Sequence, residues 1–286
     1  MKQRIITALI LAPLVILAIF KLPLPFFIAV IAAVTLIGFW EWTQFVEAKN
    51  RLLALLPSVL VMAITFAFIP FDAFSLNHLS NAHYAILIAG SLWWLIASGL
   101  AITYPKSATI WQGSKLCRHL FGMLTLLPFM WSIFMLRAEG ITNDYYHGSK
   151  LVLFVCLLVW AADSGAYFAG KSMGKRKMAP HVSPNKTIEG LIGGLFAALL
   201  VGWGAAEWFD IEFANAGVFI AITLSTVVIS VLGDLVESMF KRVSGIKDSS
   251  NIIPGHGGVL DRIDSLTAAF PVFTLYISFS LKIERA

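Results

Sequence analysis

Apolar residues gather along this chain in long runs rather than in periodic stripes. Nine runs reach or approach the roughly 20 residues a bilayer-crossing helix needs: 4–20, 25–45, 52–71, 84–104, 119–136, 150–170, 187–208, 215–240 and 266–281. The first and last are short, and the eighth turns polar at its end. Short stretches of Gly, Pro, Ser and charge separate them, as helix ends require. No repeat or low-complexity linker divides the chain. The pattern predicts an all-α polytopic membrane protein of about nine spans, one membrane domain over residues 1–286. Residues 1–150 would be scaffold helices, and 151–286 would carry the chemistry. The basic start, Lys2 and Arg4, followed by an apolar run, resembles a signal peptide. "KLPLPFF" then leads into the next run without a small-residue cleavage pattern, so the first span is expected to stay.

Composition agrees. Of 286 residues, 58% are hydrophobic and 13% charged, with a mean hydropathy of +0.82. Soluble domains carry about 25% charged residues, so a soluble nucleotide hydrolase is a poor fit. Cytoplasmic loops collect lysine and arginine. With the N-terminus inside, the nine-span division places sixteen of the 21 cations inside and five outside. It predicts a cytoplasmic N-terminus and an external C-terminus. Nine inner cations fall in two loops: Lys171, Lys175, Arg176, Lys177 and Lys186, then Lys241, Arg242, Lys247 and Arg262. That concentration suits anionic lipid heads or a polyphosphate; nothing points to nucleic acid. The two cysteines, Cys117 and Cys156, have no metal-ligand spacing.

"GAYFAGKS", 165–172, fits the phosphate-loop pattern G-x-x-x-x-G-K-S. Such a loop needs a short buried strand before it and a helix after it. Here an apolar stretch of membrane-helix length precedes it, and "MGKRKMAPHVSPNK" follows with two prolines. The match is accidental.

Three segments carry the candidate chemistry. In "VLGDLVESMFKR", Asp234, Glu237, Ser238 and Lys241 stand at helical offsets 0, 3, 4 and 7, on one face. Such a stripe must face a wet cavity or a polar helix. Interhelix adhesion alone needs fewer polar groups. Asp163 ends the sixth run, a further intramembrane acid.

The loop "KRVSGIKDSSNIIPGHGGVLDRID", 241–264, joins Lys241, Arg242, Lys247 and Arg262 to Asp248, Asp261 and Asp264. Gly255, Gly257 and Gly258 allow a turn that aims N–H groups at an anion. Carboxylates suit Mg²⁺. Together they are a composition for a metal–phosphate complex, although a plain solvated loop is also compatible. His256 is a candidate acid or base, or an ordinary loop residue.

In "SPNKTIEG", 183–190, Asn185 or Thr187 can cap the seventh span, and Glu189 suits its first turn. Lys186 beside that helix start suits a bound phosphate.

The stretch 238–264, "SMFKRVSGIKDSSNIIPGHGGVLDRID", resembles the signature of phosphatidate cytidylyltransferases (CDP-diacylglycerol synthases). The likeness rests on Ser238, Lys241, Arg242, Lys247, Asp248, Pro254, His256, Gly257, Gly258, Asp261, Arg262 and Asp264. "DSGAYFAGK" at 163–171 and "SPNKTIEG" also resemble family segments; residues 1–150 do so loosely. The resemblance implies transfer of a cytidylyl group from CTP to phosphatidic acid, giving CDP-diacylglycerol and pyrophosphate. It implies Mg²⁺ held by Asp234 and Asp261, with a monovalent cation such as K⁺ beside it. Asp234, Lys241, Arg242 and Asp261 would be catalytic. Substrate contacts would come from Asp163, Ser183, Asn185, Lys186, Thr187, Ser238, Lys247, Asp248, His256, Gly257, Gly258, Arg262 and Asp264. The protein would be a homodimer in a bacterial inner membrane, its site toward the cytoplasm. Three rivals stay open from the residues alone: a polyprenol-phosphate sugar-phosphate transferase using a UDP-sugar, a CTP-dependent lipid kinase, and a cation-coupled transporter.

Overall fold

In hydrocarbon a backbone must satisfy its own hydrogen bonds, so each apolar run winds into a helix. The computed structural model describes residues 2–70, 76, 79–141 and 144–283. It comprises α1 (Lys2–Lys21), α2 (Leu24–Trp42), α3 (Arg51–Phe68), α4 (Asn81–Ile102), a single-turn α5 (Ala108–Trp111), α6 (Lys115–Ala138) and α7 (His147–Met173). A hairpin follows, β1 (Lys177–Ala179) antiparallel to β2 (Ser183–Thr187), and then α8 (Ile188–Phe209), α9 (Ala216–Val243) and α10 (Leu260–Ile283).

Among the described residues, eight helices, α2–α4 and α6–α10, are long and apolar enough to cross a membrane. The expected first span corresponds to α1, whose apolar part, Leu9–Lys21, is shorter than these. Residues 284–286, where the external end was expected, lie outside the described residues. The hairpin is the departure from an all-α reading: Pro184 and the flanking Gly174 and Pro180 keep the loop between α7 and α8 from coiling, and its backbone pairs with itself instead.

α6 is enclosed through most of its length, with Trp131, Phe134 and Leu136 fully buried. α2, α4, α7 and α10 pack around it. α3 lies at the periphery and presents Leu52, Leu53, Leu56 and Leu60 outward, as a lipid-facing helix does. α7 and α8 form the closest pair, through small residues. A Cβ on Gly165 would come 2.6 Å from Ala197 Cβ, and one on Gly193 would come 2.2 Å from Ala169 Cβ. This explains the accidental phosphate-loop string. Gly165 and Gly170 are steps of a helix crossing inside α7. Lys171 stands on that helix with its ammonium 5.7 Å from the Tyr167 ring centre. Lys171→Ala is therefore expected to lower activity by no more than about threefold, whereas a true phosphate-loop lysine would be close to indispensable; turnover assays with varied CTP check this.

Chain direction alternates from α1 to α4 and from α6 to α10, so the C-terminal ends of α2, α7 and α9 share one face of the bundle with the N-terminal ends of α8 and α10. On the opposite face, the turn after α6 holds Asp144, which accepts from Tyr146 N at 2.9 Å and pairs with Lys150 at 3.1 Å. The Tyr146 N–H, then the Lys150 ammonium, hold that carboxyl below its ordinary range. The charge split predicts which face is cytoplasmic. A reporter fused in the 171–186 loop is expected to read cytoplasmic and one at Ala286 external; a cytoplasmic reading at Ala286 would overturn the nine-span topology.

Candidate active site

The polar stripe of α9 faces the start of α10 and the hairpin. Its lower end is braced by aromatic rings. Phe240 meets Trp42 of α2 at 4.9 Å between ring centres, Trp111 of α5 at 5.0 Å and Phe45 at 5.7 Å. Phe240 is buried beside Lys241 in the chain, so the packing fixes the helix turn from which Lys241 extends.

Lys241 Nζ lies 2.9 Å from Asp261 Oδ1 and 3.3 Å from Glu237 Oε1. This joins α9 to the first turn of α10. The other anchor crosses from the hairpin: Lys186 Nζ pairs with Asp234 Oδ2 at 2.7 Å and donates to Val231 O at 3.1 Å. Ser238 Oγ donates to Asp234 Oδ1 at 3.3 Å, one turn along the stripe. Arg242 Nε donates to Val182 O in the hairpin turn at 3.2 Å. The three candidate segments thus meet. Asp163 lies within electrostatic reach of Lys186, Asp234 and Arg262, and Asp264 within reach of Asp234, Glu237 and Lys241.

The hairpin is tied down at both ends. Thr187 Oγ1 caps α8 by accepting from Gly190 N at 3.1 Å. Glu189 accepts from the backbone N of Lys175 and Arg176 at 3.0 and 3.1 Å, and pairs with Arg176 Nε at 3.0 Å. Of the two capping candidates, Thr187 takes the role. Asn185 is exposed on β2, and Ser183 is half-buried there.

The glycine turn closes around Asp261 rather than around open space. Asp261 is 6% exposed. Its Oδ2 accepts from Gly258 N at 2.7 Å, Ser249 N at 2.8 Å and Ser249 Oγ at 3.0 Å. Gly257 has φ +83°, a left-handed conformation that costs a side chain about 1–2 kcal/mol. A Cβ there would also lie 2.5 Å from Asp261 Oδ2. The N–H groups expected to await an anion are, at Gly258, already turned onto this carboxylate. Lys247 and Asp248 stand exposed at the rim, with no side-chain hydrogen bond among the described residues. His256 is half-buried, its Nδ1 buried and without a hydrogen-bond partner among the described residues.

Sequence reading missed Glu41. It is 0% exposed at the C-terminal end of α2 and accepts from Val259 N at 3.0 Å, Leu260 N at 2.6 Å and Ser250 Oγ at 2.5 Å, and it shares with Asp261 the single hydroxyl proton of Ser249, whose Oγ lies 3.2 Å away. A carboxylate inside an apolar run was the signal available.

The cluster is acid-rich: Asp163, Asp234, Glu237, Asp261 and Asp264 face Lys186, Lys241 and Arg262. Glu237 is 4% exposed, and the charge it faces most directly is the Lys241 ammonium, 3.3 Å from its Oε1. Hard oxygen donors in excess of their cations fit Mg²⁺. Asp234 and Asp261 already hold ammonium groups. No three described His, Cys, Asp or Glu side chains converge as a ready-made metal set.

The chain matches the sequence pattern of the Cytidylyltransferase family over residues 2–280. It is 45% identical to the phosphatidate cytidylyltransferase of Haemophilus influenzae, over 98% of this chain and 100% of that protein. It is 42% identical to the protein of the same name from Pseudomonas aeruginosa, over 96% and 95%, and 33% identical to that of Bacillus subtilis, over 95% of each.

Proposed function

Because this chain belongs to the Cytidylyltransferase family, we propose that it is a membrane enzyme joining CTP to phosphatidic acid, with release of CDP-diacylglycerol and pyrophosphate. The observation that carries this reading is the convergence of Lys186–Asp234 and Lys241–Asp261 at one end of the bundle. Cations paired to carboxylates, at the end of membrane helices, suit a reaction between a lipid head and a water-soluble polyphosphate.

A phosphatidate oxygen is already an anion, so it attacks the α-phosphorus of CTP without a base. A new P–O bond forms, the bond from the α-phosphorus to the oxygen bridging to the β-phosphate breaks, and pyrophosphate leaves with that electron pair. Alignment and charge neutralisation then dominate the barrier. Lys241 and Lys186 supply mobile positive charge, since each ammonium can exchange its carboxylate for a phosphate oxygen. Arg242 and Arg262, both exposed, supply further charge at the rim. Ser183, Asn185, Ser238, Lys247, Asp248 and His256 complete the substrate surface in this reading. Thr187 acts by capping α8 beneath Lys186, and Gly257 and Gly258 by shaping the turn. Asp234 and Asp261 would hold Mg²⁺, with Glu237 and Asp264 behind them. The ion supplies charge neutralisation at the phosphates when bound, and a monovalent cation such as K⁺ belongs to the same reading. So do a homodimeric state, an inner-membrane location and a site open to the cytoplasm.

The test is product analysis on purified protein in mixed micelles with phosphatidic acid. Label from the cytidine of CTP is expected in the lipid fraction, with one pyrophosphate released per lipid. Label from the γ-phosphate in lipid would make the protein a lipid kinase. Consumption of a UDP-sugar instead would make it a sugar-phosphate transferase, and no lipid product with any donor would favour a transporter.

A further inference from the structure

The reaction as read above gives Glu41 no task, yet its buried carboxylate is met by four donor groups, as many as Asp261. Its Oε1 accepts from Val259 N and Ser250 Oγ, and its Oε2 from Leu260 N and, shared with Asp261, from the Ser249 hydroxyl. All four donors belong to the turn 249–260. The first N–H groups of a helix have no partner within it. Before α10 stands Val259, whose side chain has no oxygen to cap them. Glu41 does this from another helix, where its negative charge also suits the helix dipole.

The same turn carries Asp261. Ser249 Oγ lies 3.2 Å from Glu41 Oε2 and 3.0 Å from Asp261 Oδ2, so one hydroxyl stands between two carboxylates. The Ser249 and Gly258 N–H groups point to Asp261, and those of Val259 and Leu260 point to Glu41. Three residues on, Gln44 Nε2 donates to Ser249 O and holds the same residue from its other side. Asp261 in turn holds Lys241 at 2.9 Å. A displacement of the turn therefore displaces the Lys241–Asp261 pair.

We propose that Glu41 is a positioning residue for the reaction, acting through Ser249 and the first turn of α10 to fix Asp261 opposite Lys241. This rests on the reading of Asp261 and Lys241 as the reacting site. Glu41→Gln keeps the size but turns one acceptor into an N–H₂ facing donors. Measured well below its own melting temperature, this variant is expected to lose about 30-fold in kcat, in the range outer groups of such sites command. Its KM for CTP should change by less than about threefold, since the contact is not with substrate. Ser249→Ala removes the shared hydroxyl and should lose a similar factor. The double variant should be no more than about threefold worse than the worse single, because one path is cut twice. Thr35→Val, on the same helix, removes a buried hydroxyl bonded to Ile31 O at 2.9 Å and should leave kcat unchanged. Near-normal kcat in Glu41→Gln beside a dead Asp261→Asn would overturn the proposal, as would losses that multiply in the double variant. Near-normal turnover in Asp261→Asn would overturn the site reading instead. If Glu41→Gln does not fold, Ser249→Ala alone decides: normal kcat overturns the link.

Discussion

Asp261→Asn is expected to retain less than about 1% of wild-type cytidylyl transfer, a loss of at least about 2.7 kcal/mol in transition-state stabilisation. Asp261 receives Lys241, two backbone N–H groups and a serine hydroxyl. An asparagine offers one acceptor oxygen and turns an N–H₂ toward one set of these donors. It also removes the charge that holds the ammonium and that a divalent cation needs. Asp234→Asn, which loses the charge paired to Lys186, is expected to fall as far. The double variant should be little worse than either single one, since groups acting as a unit lose their joint contribution once. Glu237→Gln should cost less, because Glu237 stands behind Lys241 at 3.3 Å rather than between the segments. The measurement is turnover at saturating CTP with Mg²⁺ titrated for each variant. Near-normal turnover with unchanged Mg²⁺ dependence at Asp234 or Asp261 would remove that residue from the site, and Asp163 and Asp264 would be next to test.

Gly258→Ala is expected to inactivate the protein by a different route. The added Cβ would lie 2.1 Å from Ser249 Oγ, 2.5 Å from Glu41 Oε1 and 2.7 Å from Glu41 Cδ. Ser249 and Glu41 are both fully buried and bonded to the same turn. Neither can withdraw without abandoning its partners, so overpacking of about 1–3 kcal/mol is added to broken hydrogen bonds. Activity should fall by about a hundredfold or more, with a lowered melting temperature. A change of the same size in open space, Gly99→Ala, where a Cβ would have no atom within 4 Å, should be silent. Thermal unfolding and turnover of the two variants side by side check this; an active Gly258→Ala would mean the turn is looser than its contacts imply.

These contacts mark where sequence reading reaches and where it stops. Helix periodicity is a local property, so the Asp234, Glu237, Ser238 and Lys241 stripe was legible from spacing alone, and so was the failure of the 165–172 string as a phosphate loop. A cap on α8 was legible as Asn185 or Thr187, and the contact with Gly190 N selects Thr187. The pairing of Lys186 with Asp234 joins residues 48 positions apart through the packing of a hairpin on α9. No local pattern encodes it. The hairpin itself has strands of three and five residues, too short to announce a period. Glu41 lay in a stretch whose apolar character spoke of spanning. Its role is fixed by donors 208 to 219 residues away.

That separation has a consequence for how the protein is made. A ribosome adds roughly 5–20 residues per second, so about 10–40 s pass between the synthesis of Glu41 and that of Leu260, 219 positions later. Through that interval the Glu41 carboxylate has Arg51 within electrostatic reach but none of the hydrogen-bond donors of the 249–260 turn. An unpaired acid at the end of a span is stable only where water reaches it. The nascent bundle must therefore keep the Glu41 end of α2 wet until α10 arrives. Only when α10 is in place do the N–H groups of Val259 and Leu260 reach that carboxylate.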